Sequence, residues 1–413
     1  MPLVTTQVSL ASPIDPQTDG GALLDAGLYG PHVDEFRATV RDRIDRLVLP
    51  HLDSAEAAGR FPAEVIRELG ATGLFAERWH GGGDTGRSVV LANELGRAGA
   101  GGLAVGISLH LETVLSMLVR FGGNDYLRQL RDQAMRGELV GCIGASEATG
   151  GSDLERVGTI AQRTAAGWHI EGRKKFVSLG SVADFCLVLC RVHRDNGKQV
   201  ARLGVAAVPR DGLHVEHSHA KVGTHSLDTV RVAVSADIPE EAMLGRPGLG
   251  LAVINYGLTM ERLGAAAQLI GTCELALGLA VAHADRRSQF GARLRKHQVI
   301  EYRLADLAAR IEILRAAALA TAAGYGRPGG PGAHQVAGLK VTAAQTAEQV
   351  VSECMHIFGG AGYLPEETPM GRLWRDVRLG RIGAGTDEMM WSIRAVGLTP
   401  DNDSYDRLVH IST

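Results

Sequence analysis

Hydrophobic and polar positions change their period twice along the chain. From Tyr29 to about Gly137 they recur with helical spacing, in HVDEFRATVRDRIDRLVLPHL, PAEVIRELGATGLF with a proline at its start, VVLANELGRAG and LETVLSMLVRFG. Gly81 to Gly83 punctuate one long connection in an otherwise α-helical stretch. Near Val140 the pattern becomes a series of short β-like runs, LVGCIGA, GTIAQRT, WHIEGRKKFVSL, DFCLVLCRV, RLGVAAVP, LHVEHS and VRVAV, divided by Gly, Asn and Asp. After Pro239 long helical patterns return over 249–286, 297–325 and 332–358, the last two joined by GRPGGPG. The expected organisation is an α+β protein: a mobile tail over 1–27, a helical domain over 28–139, a β domain over 140–246 and a helical domain over 247–413.

The apolar run INYGLTMERLGAAAQLIGTCELALG contains no proline and reads as a buried helix, with Glu261 out of place in it. At 3.6 residues per turn Ile254, Leu258, Glu261, Ala265, Gln268 and Thr272 share one face. The neighbours three and four positions away are Gly257, Leu258, Gly264 and Ala265, none of them charged, and Arg262 diverges to another face. A carboxylate buried without a partner has a raised pKa, a property useful to a general base. A long-range Arg, or a view of solvent between helices, accounts for the same position equally well.

Composition narrows the partners. The formal net charge is -3 and no basic stripe stands out, which excludes nucleic acid and anionic membrane as expected partners. The N-terminus lacks a basic stretch followed by an apolar one, and no uninterrupted apolar run is expected to span a membrane. Five cysteines, Cys142, Cys186, Cys190, Cys273 and Cys354, are odd in number and form no C-x-x-C pair, so they read as thiols of a cytoplasmic protein. His214, His217 and His219 crowd one β segment without Cys or acidic ligands at metal spacing, and are expected to bind no metal.

Single motifs are weak. Ser146-Glu147-Ala148-Thr149-Gly150-Gly151-Ser152-Asp153 offers hydroxyls and unhindered N–H groups for a phosphate or a flavin edge, as a solvated turn also would. Arg287-Ser288-Gln289-Phe290-Gly291 combines a cation, an amide and an aromatic, or merely ends a helix with Gly291 as its cap. His356 to Tyr363 places glycines where a helix stops.

In order and separation these stretches are more specific. SEATGGSD, WHIEGRKKFVS, IPEEAMLGRPGLG, ERLGAAAQLIG, RRSQFGARLRKHQ, IFGGAGY and RDVRLGRIGAGTDE together make the chain resemble the acyl-CoA dehydrogenase family from about Tyr29 to Val396. The resemblance implies an N-terminal α domain, a middle β-barrel domain and a C-terminal four-helix bundle, assembled as a homotetramer. It implies FAD, lined by Ser146, Phe176 and Ser178, with Thr386 and Glu388 near its other portions and Arg287, Phe290, His356 and Gly360 reaching a neighbouring subunit's FAD. Ser152 and Arg262 would face the pantetheine and CoA side of the substrate. The implied reaction is α,β-dehydrogenation of an acyl thioester, with electron-transfer flavoprotein or a similar acceptor as partner.

Most members carry the base as a glutamate directly before Gly-Thr, where this chain has Ala384-Gly385-Thr386. A smaller branch, like the isovaleryl-CoA and long-chain dehydrogenases, places it just before Arg-Leu, which here is Glu261. Glu261 is thereby the expected base, and Ala384 keeps the backbone N–H that polarises the thioester carbonyl. Phe176 stands where many members have Trp, His356 where they have Gln, Ala148 replaces a usual Pro, and ERWHGGGD departs from the usual PEEYGG. His110 matches a histidine of the isovaleryl type and also suits a packed core position. A short or branched acyl-CoA is the expected substrate. An acyl or aminoacyl group on a carrier protein in a specialised pathway, and flavin monooxygenase chemistry on the same fold, are the alternatives.

Overall fold

The computed structural model describes residues 32–193 and 202–411, so the tail expected over 1–27 lies outside the described residues. The N-terminal pattern folds as α1 (His32–Leu47), α2 (Ala63–Ala71), α3 (Thr85–Arg97), α4 (Gly101–Ser108), α5 (Leu115–Phe121) and α6 (Asp125–Met135), with short helical pieces between. Asp84 starts α3 by accepting from the N–H of Gly86 and Arg87, and Asn124 starts α6 by accepting from Leu127 N. Between α4 and α5 the helix does not break but widens into a π-helical turn over Leu109–Val114. Such turns are rare and are frequent at functional sites.

Each run expected as β forms a strand: β1 (Gly141–Gly144), β2 (Ile160–Arg163), β3 (Gly167–Ser178), β4 (Phe185–His193), β5 (Arg202–Pro209), β6 (Leu213–Ser218) and β7 (Thr229–Pro239), with a short β8 (Met243–Leu244). They join in the order β6-β7-β3-β2-β4-β5-β8, and β1 pairs parallel with β4. Phe185 to Cys190 are all buried, which explains why FCLVLC is apolar without alternation. Where β3 runs against β7 the register slips between Lys174 and Val177. That bulge turns the backbone at Phe176 to φ 61° and leaves its ring more than half exposed.

The C-terminal domain is built on α7 (Gly250–Arg286), flanked by α8 (Gln298–Gly324) and α9 (Ala333–Phe358) and followed by α10 (Met370–Val377) and α11 (Asp387–Ala395). Helices α7 and α3 cross almost backbone to backbone. A Cβ on Gly271 would lie 2.1 Å from Asn93 O, and one on Gly96 2.0 Å from Gln268 O. This crossing ties the bundle to the N-terminal domain.

Among the described residues two helices, Gly101–Phe121 and Gly250–Arg286, pass for membrane-spanning by length and composition, the first because the π turn fuses α4 and α5 into one helix. Neither is an uninterrupted apolar run, Glu112 breaking the first and Glu261 and Arg262 the second. The first is 89% buried inside the fold and the second half buried, as core helices are. All five cysteines are buried free thiols.

Candidate active site

Glu261 faces a narrow cavity of about 70 Å³ between α4, α7, α9 and α10. From α7 the cavity is lined by Leu269 and by Glu261, Ala265, Gln268 and Thr272, the last four among the six positions that the helical spacing placed on one face. No ion pair reaches the Glu261 carboxylate among the described residues. Its one hydrogen bond comes from Thr113 Oγ1, 2.7 Å from Oε2. Glu261 is largely withdrawn from water and lines this cavity. Burial therefore raises its pKa, against the Thr113 hydrogen bond and the more distant charges of Arg262 and Lys340.

Opposite lies the loop Gly383-Ala384-Gly385, whose Gly383 and Ala384 line the same cavity. Ala384 is left-handed at φ 54° and Gly385 follows at φ 114°. Two buried cations hold this unusual backbone: Arg262 Nε donates to Ala384 O at 2.9 Å, and Lys340 Nζ donates to Gly385 O at 2.7 Å. The Ala384 N–H donates to no described group. Ala384 and Glu261 thus bring an unspent donor and a carboxylate to the lining of one cavity, the two kinds of group that an α-proton abstraction needs. Arg262, expected to face the substrate, is 4% exposed and is bonded to the loop through the Ala384 carbonyl. Burial and the neighbouring Arg262 pull the Lys340 ammonium down to about 8.

Ser146, Phe176 and Ser178 come together through β3. Ser146 O accepts from Lys175 N at 2.9 Å, and Phe176 and Ser178 follow at the bulge. Beneath them the buried Lys174 donates to Glu147 at 2.6 Å, and Glu147 also accepts from Gly158 N and from Thr159 N and Oγ1, which fixes the turn that Ser146 opens. Ser178 Oγ lies 3.3 Å from Thr229 Oγ1, and the Phe176 ring packs against His219 at 5.5 Å between centroids. His217 and His219 stack edge to face at 4.9 Å. The loop that follows, through Thr224, reaches the Glu261 cavity. Ser152 is exposed beyond the Ser146 turn, Thr386 caps α11, and Glu388 is exposed in its first turn.

Arg287, Phe290, His356 and Gly360 are brought to the far end of the same domain. Their helices meet there, with His283 stacked on Phe358 at 4.4 Å. That end is about 37 Å along α7 from Glu261, at 1.5 Å per residue. The alternative of a helix cap at Gly291 is corrected: α7 ends at Arg286, and Phe290-Gly291 form the tip of a hairpin between Ser288–Gln289 and Ala292–Arg293. Both tip residues have positive φ, 50° and 80°, as a tight hairpin turn requires. Phe290 is 96% exposed.

Sequence reasoning missed four groups. Thr113 and Ser108 sit in an N-terminal stretch that reads only as core. Lys340 lies in a helix with no distinguishing pattern. Asp376 lies within RDVRLGRIGAGTDE but carries no chemical oddity in the sequence. It lines the cavity, accepts from Thr224 N, keeps Oδ2 buried without a partner, and is pushed by burial up to about 6.

Family models for the acyl-CoA dehydrogenase N-terminal, middle and C-terminal domains match residues 30–138, 142–236 and 248–399. The chain belongs to the acyl-CoA dehydrogenase family. It is 46% identical over 362 residues to the acyl-[acyl-carrier-protein] dehydrogenase MbtN of Mycobacterium sp. (strain MCS), covering 87% of this chain and 92% of that one. It is 29% identical over 361 residues to the mitochondrial short-chain specific acyl-CoA dehydrogenase of Bos taurus, covering 86% and 87%. The butyryl-CoA dehydrogenase structure from Megasphaera elsdenii superposes with a TM-score of 0.81 at 26% identity, covering 89% of this chain and 97% of that one.

Membership makes the chain an oxidoreductase acting on CH–CH groups, with FAD as its cofactor. The residues fit that cofactor. An aromatic ring held exposed by a strained bulge, the Ser178 hydroxyl beside it and the buried, unpartnered Nε2 of His219 lie together beside the Thr224 loop.

Proposed function

We propose that the chain dehydrogenates an acyl group held as a thioester on an acyl carrier protein, with Glu261 removing the α proton. The observation that carries this reading is the pairing, across one cavity, of a carboxylate with raised pKa and the unspent N–H of Ala384. Glu261 takes the proton with its free oxygen, Ala384 N–H steadies the negative charge that grows on the thioester oxygen, and the apolar walls keep water from the carbanion-like centre. FAD, when bound, supplies the acceptor for the hydride leaving the β carbon, and electron-transfer flavoprotein or a similar protein takes the electrons onward. Ser146, Phe176 and Ser178 would hold it, with Thr386 and Glu388 toward its other portions, and Ser152 would face the thioester arm.

Carrier protein is preferred to CoA because the relatives named for carrier-bound substrates are 42–46% identical, against 28–29% for the short-chain CoA enzymes. Retention of Glu261 favours dehydrogenation over monooxygenase chemistry. Arg287, Phe290, His356 and Gly360 would serve a neighbour's FAD in a homotetramer. The exposure of Phe290, Tyr363, Val396 and Leu398 supports burial against other copies.

The test is anaerobic mixing of FAD-loaded protein with one acyl chain presented on CoA and on a carrier protein, over a series of chain lengths. Faster bleaching by the carrier-bound form is expected. Equal or faster bleaching by acyl-CoA sinks the carrier reading, and bleaching only with a separate reductase sinks dehydrogenation.

A further inference from the structure

We infer that Thr113 is the positioning residue for the base, holding Glu261 Oε2 from the N-terminal domain so that Oε1 is left for the substrate. The inference rests on Glu261 being the base, as proposed above.

Thr113 is fully buried and lies in the π-helical turn Leu109–Val114. Its Oγ1 donates to Glu261 Oε2 at 2.7 Å, and no other described group hydrogen-bonds this carboxylate. The extra residue in a π turn shifts the phase of the helix by about 100°, so the widening decides which side chain meets α7. The turn is locked in place. Glu112 is gripped by Arg78 through two hydrogen bonds of 2.9 and 2.8 Å, both side chains almost fully buried. His110 accepts from Gly141 N at Nδ1 and meets Ala134 O at Nε2, each at 3.1 Å.

On the α7 side the approach depends on Gly257, one turn before Glu261. A Cβ there would sit 2.9 Å from Met117 Cγ and 3.1 Å from Thr113 O, so the Met117 side chain and the turn would have to give way to admit one. The other charges facing Glu261 are Arg262 on its own helix, Lys340 on α9, Asp376 across the cavity on α10, and Glu112, neutralised by Arg78. None of them hydrogen-bonds it. A hydroxyl donor favours the carboxylate over the carboxylic acid, and so opposes the burial that would otherwise keep the base protonated. It also fixes one oxygen, which orients the other.

The test compares FAD-loaded wild type with Thr113→Val, Thr113→Ala and Thr113→Ser, following anaerobic flavin bleaching by substrate against pH. Infrared difference titration supplies a second readout, through the protonated-carboxyl band that Glu261→Gln lacks. In Thr113→Val and Thr113→Ala both the rate profile and the band midpoint are expected to move to higher pH by about one unit, with roughly tenfold slower bleaching on the acid side. Thr113→Ser should restore both. An unmoved midpoint in the Val and Ala variants, or a Ser variant as impaired as they are, overturns the positioning role. Bleaching at the wild-type rate by Glu261→Gln is a different outcome: it removes the base assignment and this inference with it.

Discussion

Arg262 Nε and the carbonyl of Ala384 meet at 2.9 Å across 122 residues of chain. The contact joins the helix that carries the Glu261 carboxylate to the loop that carries the N–H proposed to polarise the thioester carbonyl, so one side chain ties the two together. With Lys340 on the next carbonyl, it holds Ala384 at a φ that few residues other than glycine adopt.

Replacing Arg262 by Gln should loosen that loop. The expected outcome is flavin reduction slower by roughly 10- to 100-fold, short of the roughly 10²- to 10³-fold cost of losing a carbonyl-stabilising donor outright, with substrate affinity changed much less. Leaving the Ala384 carbonyl unpaired should also cost about 1–3 kcal/mol of stability. Rapid anaerobic mixing at several substrate concentrations separates the two effects. A large loss of affinity with an unchanged limiting rate would return Arg262 to the substrate-facing place that the resemblance implies.

His110 gives a pH signature of stability. Burial holds its folded pKa down at about 4, against an unperturbed value near 6.5. Between these values the unfolded chain binds the extra proton, so stability rises with pH. The contribution is fully present above about pH 6.5 and is lost as pH falls toward 4, up to about 3 kcal/mol. Denaturant unfolding should show wild type losing stability over that window and His110→Gln changing less across it. Parallel slopes for the two proteins would contradict the account.

Arg287 and Phe290 lie beyond the far end of α7, about 37 Å from Glu261 along the helix, too far to reach a flavin beside Glu261 of the same chain. If they serve a neighbour's FAD, flavin content and assembly are coupled. Arg287→Ala is expected to purify paler and in smaller assemblies, measured by absorbance and light scattering together. A monomer with full flavin would sink the intersubunit reading.

The legibility of the chain follows from how local each feature is. The strands and long helices announce themselves because their periodicity is set by one buried face each, and β4 is apolar from Phe185 to Cys190 because both its faces are covered there. Glu261 was legible because an isolated charge interrupts a small-residue face. Thr113, Lys340 and Asp376 were not, since each acts through a contact made only by tertiary packing, across 148, 45 and 152 residues. The π turn is invisible for a related reason: its sequence satisfies helical spacing, and the extra residue shows only in the hydrogen bonding. At the end of α7 a glycine after an arginine looked like a cap, whereas the hairpin depends on strands only two residues long.

The proposed role of Glu261 as the base is tested by removing its basicity alone. Glu261→Gln keeps size and hydrogen-bonding capacity but not basicity, so substrate should bind while flavin reduction falls by roughly 10²- to 10⁴-fold. Adding Ala384→Glu places a carboxylate at the family's commoner position across the same cavity, and should recover part of the rate with an altered preference for acyl length. The most direct measurement is the anaerobic flavin-bleaching rate of FAD-loaded Glu261→Gln at saturating substrate. A fall of at least a hundredfold with binding retained is the predicted result, and a rate near wild type would contradict the assignment.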